Sequence, residues 1–128
     1  MQKILVIEDE AALRECILET LECLGYEAVG AANGTVGIHL AHQYKPDLII
    51  CDLLMPDMDG YSVLIGLRQM SETSNIKFIF LTSQIQESQV KQGLKLGAND
   101  YLTKPFTIAR LREALATQFE NSKSFALL

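Results

Sequence analysis

Cysteine is scarce in this chain and carries no pattern. Cys16, Cys23 and Cys51 are an odd number without CxxC spacing, which points to neither a disulfide framework nor a zinc site. Cys16 and Cys23 fall seven residues apart on one expected helix, roughly 10 Å along its axis and beyond disulfide reach. All three thiols are expected to be buried or half-buried, with Cys51 pointing away from its strand neighbour Asp52. No apolar run approaches the ~20 residues of a membrane span. The N-terminus lacks a basic-then-apolar signal layout, so a soluble, cytoplasmic protein with no membrane partner is expected. Neither GxxxxGK[ST] nor GxGxxG occurs, so the chain has no nucleotide cradle. Internal repeats, low-complexity tracts and helix-turn-helix, cyclase or methylesterase segments are also missing.

What is present fits one folded unit. The 128 residues are 48% hydrophobic, enough to bury a core without disulfides or a structural metal. The net charge of −5 argues against direct nucleic-acid binding by this domain. Residues 1–64 hold 3 Lys/Arg against 11 Asp/Glu, and residues 65–128 hold 8 against 5. The basic excess in the second half makes its helices a candidate partner surface.

Strand and helix signals alternate along the chain. Strands are expected at about Lys3–Glu8, Glu27–Ala31, Leu48–Asp52, Lys77–Leu81 and Asp100–Thr103. Between the first two runs a helix, about Glu10–Leu24, repeats Leu13, Ile17, Leu21 and Leu24 and stops at Gly25. Asn33 caps a second helix to Tyr44 with Gly37, Leu40, Ala41 and Tyr44 inward, and a third runs from Gly60 to Met70. The fourth is polar, with only Val90 and Leu94 as clear anchors, and Gly93 and Gly97 weaken it further. Thr107 caps a fifth helix, whose inner stripe is Ile108, Leu111, Leu115 and Phe119. Five such pairs with short links imply a parallel sheet covered on both faces. One folded domain is expected over 1–121. The tail 122–128, with Phe125, Leu127 and Leu128, is left to cap the last helix or to begin a linker.

Chemistry-bearing side chains gather where strands end. Glu8-Asp9 follows the first strand, Asp52 closes the third, Thr82-Ser83 ends the fourth and Lys104-Pro105 follows the fifth. In a sheet ordered 2-1-3-4-5 that edge is where ligands bind, and the first and third strands are neighbours. Clustered carboxylates repel, by about 4 kcal/mol for two unit charges at 4 Å and an effective dielectric of 20. They raise one another's pKa or recruit a cation. Oxygen-only ligands favour Mg²⁺ over Ca²⁺. Carboxylates, a hard cation, a lysine and a hydroxyl suit phosphoryl transfer. Without a nucleotide cradle, the phosphoryl group lands on the protein itself, on a carboxylate.

These motifs, in this order, resemble the response-regulator receiver domain of two-component signalling, a CheY-like family, over about residues 2–120. The matching stretches are Glu8-Asp9, Asp52-Leu53-Leu54-Met55-Pro56-Asp57-Met58-Asp59-Gly60, Thr82-Ser83, Tyr101 and Lys104-Pro105. The resemblance implies a flavodoxin-like (βα)5 three-layer sandwich. It implies Asp52 as phospho-acceptor, with Lys104 and Thr82 as its catalytic companions. Mg²⁺, or Mn²⁺ in its place, would be held by Asp9, Asp52 and the Leu54 backbone carbonyl, with Glu8 acting directly or through water. Thr82 and Tyr101 would form the switch, moving the face of the fourth helix, fifth strand and fifth helix. The proline after Lys104 would take a cis bond. The implied partners are a histidine kinase or histidine phosphotransfer protein and a downstream effector or own output domain, with a monomer or phosphorylation-dependent dimer as the assembly. The chain would turn over no external substrate, only its own phosphorylation and hydrolysis. Leu54 and Gln84 would tune the lifetime of the phosphate.

Blander readings stand beside these. Glu8 and Asp9 also suit a helix start, and Tyr101 also suits core packing. His39 and His42 lack further metal ligands nearby. Met55, Met58 and Met70 read as gap-fillers, and Asp57 and Asp59 as turn residues. An aspartyl-phosphate phosphatase would need a carboxylate where Leu54 stands. A flavin carrier would need an aromatic pair and a phosphate loop. A degenerate receiver would lack the intact acids, Thr82 and Lys104.

Overall fold

A computed structural model describes residues 1–83 and 86–127, with side chains through residue 119. Gln84 and the side chains of Phe125, Leu127 and Leu128 lie outside the described residues. The element order is β1 Lys3–Ile7, α1 Ala11–Cys23, β2 Glu27–Ala31, α2 Gly34–Tyr44, β3 Leu48–Asp52, α3 Gly60–Arg68, β4 Lys77–Thr82, α4 Glu87–Leu96, β5 Asp100–Thr103 and α5 Ile108–Leu127. All pairings are parallel, in the order β2-β1-β3-β4-β5. No helix of the described residues is long and apolar enough to cross a membrane.

Alternation along each strand splits the core into two layers. Ile4, Val6, Leu48, Ile50, Ile79, Leu81 and Leu102 pack under α1 and α5, against Ile17, Leu21, Leu111 and Leu115. Leu5, Ile7, Ile49, Cys51, Phe78, Phe80 and Tyr101 face the other way, toward Leu64 and Leu67 of α3. Two close approaches shape that second layer. A Cβ at Gly37 would run into the Ile7 side chain, and one at Gly60 would stand 2.7 Å from the Asp52 carbonyl oxygen. Gly60 therefore lets α3 begin directly beside the end of β3.

Two caps fall where the sequence places them: Asn33 Oδ1 accepts the Val36 N–H and Thr107 Oγ1 accepts the Arg110 N–H. Asp59, read as a turn residue, also caps α3 by accepting the Ser62 N–H. Four expectations need correction. Leu94 is 52% exposed, because α4 meets the sheet through Gly93, flanked by Val90 and Leu96. Ile108 is 57% exposed; it opens α5 beside a groove lined by Leu13, Cys16 and Thr20 of α1, and Ala114 takes an inward place instead. Cys16 and Cys23 are exposed, because Ile17 and Leu21 occupy the inward side of α1. Met70 is exposed as well. The α5 backbone stays helical to Leu127, through most of the stretch read as tail.

Candidate functional site

The parallel sheet delivers three carboxylates to one rim. Glu8 and Asp9 follow β1, and Asp52 ends β3, which pairs with β1. One oxygen from each lies within 4.8 Å of the others. Asp9 is exposed, whereas Asp52 is 6% exposed and Glu8 fully buried. Lys104, just past β5, reaches over the sheet edge. Its Nζ stands 2.9 Å from Glu8 Oε1 and 3.2 Å from Asp52 Oδ2. The Lys104–Pro105 bond is cis, as the resemblance implied.

Backbone contacts fix this rim. Glu8 N–H donates to the Ala31 carbonyl at 3.0 Å. Arg14 Nη1 donates to the Glu8 carbonyl at 2.8 Å. Glu8 Oε2 accepts the Glu10 N–H at 3.0 Å. The Leu54 N–H donates to the Asp52 carboxylate, while the Leu54 side chain is exposed. Lys104 N–H donates to the Thr82 carbonyl at 2.7 Å. Thr82 is buried, in register with Thr103, one residue beyond the level of Asp52 on the adjacent strand.

Charge is unbalanced here. Burial pushes the Glu8 and Asp52 carboxyls above their ordinary values, with neighbouring acids adding to the rise and Lys104 opposing it. Burial would lower the Lys104 ammonium, but its contacts with Glu8 and Asp52 outweigh that and leave it raised. One ammonium faces three acids. Glu8 Oε1 is buried and faces the Lys104 ammonium at 2.9 Å. A buried oxygen with spare acceptor capacity and two further carboxylates fit a hard divalent cation.

Residues 4–116 match the family description "Response regulator receiver domain". The chain belongs to the response regulator receiver domain family. It is 40% identical over 119 residues to the DNA-binding dual master transcriptional regulator RpaA of Synechocystis sp., covering 90% of this chain and 49% of that protein. To the phosphate regulon transcriptional regulatory protein PhoB of Pseudomonas aeruginosa it is 39% identical over 116 residues, 88% of this chain and 51% of that one. The chain thus spans about half the length of the curated relatives it matches. Among solved structures it resembles Vibrio cholerae chemotaxis protein CheY4, with TM-score 0.88 and 30% identity over 91% of this chain and 98% of that one. It also resembles the receiver domain of sensor histidine kinase PA1611 from P. aeruginosa PAO1, with TM-score 0.83 and 32% identity over 91% and 95% of the two chains; that structure has a magnesium ion coordinated in its active-site cleft. The receiver family works in phosphorylation-dependent two-component signalling. Its members interact with histidine kinases and output domains, and in general are not enzymes on external substrates.

Arg14, Tyr61 and Arg68 carry no signal in the sequence alone. Arg14 braces the Glu8 carbonyl, and its stem lies across β2, 3.0 Å from where a Gly30 Cβ would stand. Tyr61 shares a backbone acceptor with Tyr101, and Gly93 lies against the Tyr101 phenol. Arg68 Nη2 donates to the Gly97 carbonyl at 2.9 Å, tying α3 to the end of α4. His42, half-buried, lies 3.6 Å from the exposed Glu72, away from the rim.

Proposed function

We propose that this receiver accepts a phosphoryl group on Asp52 from a phosphohistidine of a histidine kinase or phosphotransfer protein. The single observation that carries the reading is the rim itself: three carboxylates within 4.8 Å and a lysine in contact with two of them. An Asp52 carboxylate oxygen attacks phosphorus as the bond to the donor's imidazole nitrogen breaks. Lys104 loses its contact with the Asp52 carboxylate and pairs with the transferred oxygens. The Thr82 hydroxyl receives a further phosphoryl oxygen, and the N–H groups of Leu54 and Ser83 complete the pocket.

Asp9, Asp52 and the Leu54 carbonyl would hold Mg²⁺, or Mn²⁺ in its place, with Glu8 acting directly or through water. Bound there, such an ion would supply charge neutralisation to the phosphoryl oxygens. The phosphoryl group adds roughly −1.5 to −2 charge, and Thr82, Tyr101 and the α4–β5–α5 face respond. An output domain or separate effector reads that face, in a monomer or a phosphorylation-dependent dimer. The same rim catalyses removal of the phosphate from Asp52, and the site of action is the cytoplasm. The receiver unit extends to about residue 121, with residues 122–128 as a C-terminal tail or the start of a linker.

The test is labelling from a phosphohistidine donor. Asp52→Asn is expected to abolish acid-stable, hydroxylamine-sensitive phosphate. Label that survives at another residue would remove Asp52 from the mechanism.

A further inference from the structure

The turn from β1 into α1 carries two of the rim's three acids, and a basic side chain holds it. Past the last paired residues of β1 and β2, Ile7 and Ala31, the Glu8 N–H still reaches the Ala31 carbonyl at 3.0 Å. The Glu8 carbonyl lies beyond the ladder, and its donor is Arg14 Nη1 at 2.8 Å. That carbonyl belongs to the planar peptide joining Glu8 to Asp9, so one bond orients the backbone from which both side chains leave. The helix offers no substitute, because its N-cap residue Glu10 makes no side-chain cap bond. The half-buried Arg14 stem reaches the turn across β2. A Cβ at Gly30 would stand 3.0 Å from Arg14 Cδ and 3.2 Å from its Cγ, so the path is open because position 30 has no side chain. Among the described residues Arg14 forms no ion pair with an acid.

We propose that Arg14 is a positioning residue for cation binding at the rim: its guanidinium fixes the Glu8–Asp9 peptide, so both carboxylates are oriented before a divalent ion arrives. Gly30 gives the stem its path. This role rests on the cation reading of the rim. A guanidinium placed on a carboxylate would compete with an ion for that oxygen. On a backbone carbonyl it leaves the carboxylates free, and it restrains a turn that the ion would otherwise have to order. The charge and the bond of Arg14 therefore act in opposite senses. As a positive charge near three acids, Arg14 repels a cation, and its removal would tighten binding. As a brace it spares the ion the ordering of the turn, and its removal would weaken binding. An arginine with a structural role alone would change stability and leave affinity where it was.

The test titrates the full chain with Mn²⁺, counting the free ion by electron paramagnetic resonance at a temperature where each variant is folded. Arg14→Met keeps an unbranched stem over Gly30 and loses the guanidinium. It is expected to weaken Mn²⁺ binding by roughly tenfold, the low end for partners that orient metal ligands. Unchanged or tighter binding overturns the proposal. Leu24→Ala is the control, at the other end of α1 and partly buried against the core. It should lower stability in urea and leave Mn²⁺ affinity unmoved. An equal loss of affinity there would mean that any loosening of α1 weakens the site, and would overturn the role of Arg14. Gly30→Ala displaces the stem without altering Arg14, and it decides the matter should Arg14→Met not fold. It is expected to weaken binding in the same direction, and to add no further loss in the Arg14→Met chain. Unchanged affinity in Gly30→Ala overturns the path across β2. A wild-type chain that binds no Mn²⁺ overturns the cation reading and this role together. Equal binding by wild type and Arg14→Met overturns the role alone.

Discussion

Helices α4 and α5 flank the same strand, β5, and are fastened by different physics. Helix α5 buries Leu111, Ala114 and Leu115 completely and begins at a side-chain cap on Thr107. Helix α4 buries only Gly93, and its N-cap residue, Gln86, makes no side-chain cap bond. What holds α4 are side chains of other elements bonded to its backbone: Tyr61 and Tyr101 at Gln89, and Arg68 at Gly97. Burial is lost whenever a helix shifts, whereas a hydrogen bond can be exchanged for another at a net difference of about 1 kcal/mol. Helix α4 is therefore the less firmly anchored of the two, as an element that shifts between two states needs to be.

The strongest way to break this contrast is Leu115→Ala in α5 set beside Val90→Ala in α4. The first removes a buried leucine and is expected to cost about 2–5 kcal/mol by urea unfolding. Val90 is only partly buried, and its truncation should cost about 1 kcal/mol, near the average for point substitutions. Equal losses would mean that α4 is anchored as firmly as α5.

Next comes the rim. Lys104→Met leaves Glu8 and Asp52 facing each other without their cation. In the absence of divalent ion it is expected to cost about 3 kcal/mol, the low end for breaking a buried ion pair. Millimolar Mg²⁺ should restore part of that loss by binding the folded state. A thermal midpoint indifferent to Mg²⁺ in both wild type and variant would argue that the acids hold no ion.

A smaller and opposite effect is expected from Asp52→Asn. Burial raises the Asp52 carboxyl above its ordinary 3.8. The stability that this shift contributes is present below that value and lost as pH climbs through the raised, folded one. At neutral pH without metal, the neutral amide should therefore make the variant more stable than wild type. The gap should close as pH falls toward 3.8. Added Mg²⁺ should favour the wild type instead. A variant less stable than wild type at pH 7 without metal would contradict the desolvation argument.

The fold was legible because each strand is a short apolar run ending in a chemically distinct residue. Leu48-Ile49-Ile50-Cys51 before Asp52 and Phe78-Ile79-Phe80-Leu81 before Thr82 need no long-range information. The rim was legible for the same reason, because parallel order brings all those ends to one edge. The rest depended on contacts between distant elements. Nothing local marks Arg14 as the brace of Glu8, or Tyr61 as a partner of Gln89, 28 residues away. Helix α4 misled the pattern reading because its inward position is a glycine. A residue with no side chain has no hydrophobicity to count, so the stripe was drawn through Leu94.

Leu94 gives the smallest expected effect and isolates that point. If α4 were anchored as its apolar pattern suggests, Leu94→Ala would remove a core leucine and cost at least about 2 kcal/mol. In the structure the side chain is 52% exposed, one step round the helix from Gly93. Its truncation should change stability by no more than about 0.5 kcal/mol, as for other surface positions. A loss of several kcal/mol at this position would mean that α4 is turned about its axis, with Leu94 facing the sheet. It would then remove the reason for Gly93 to be there.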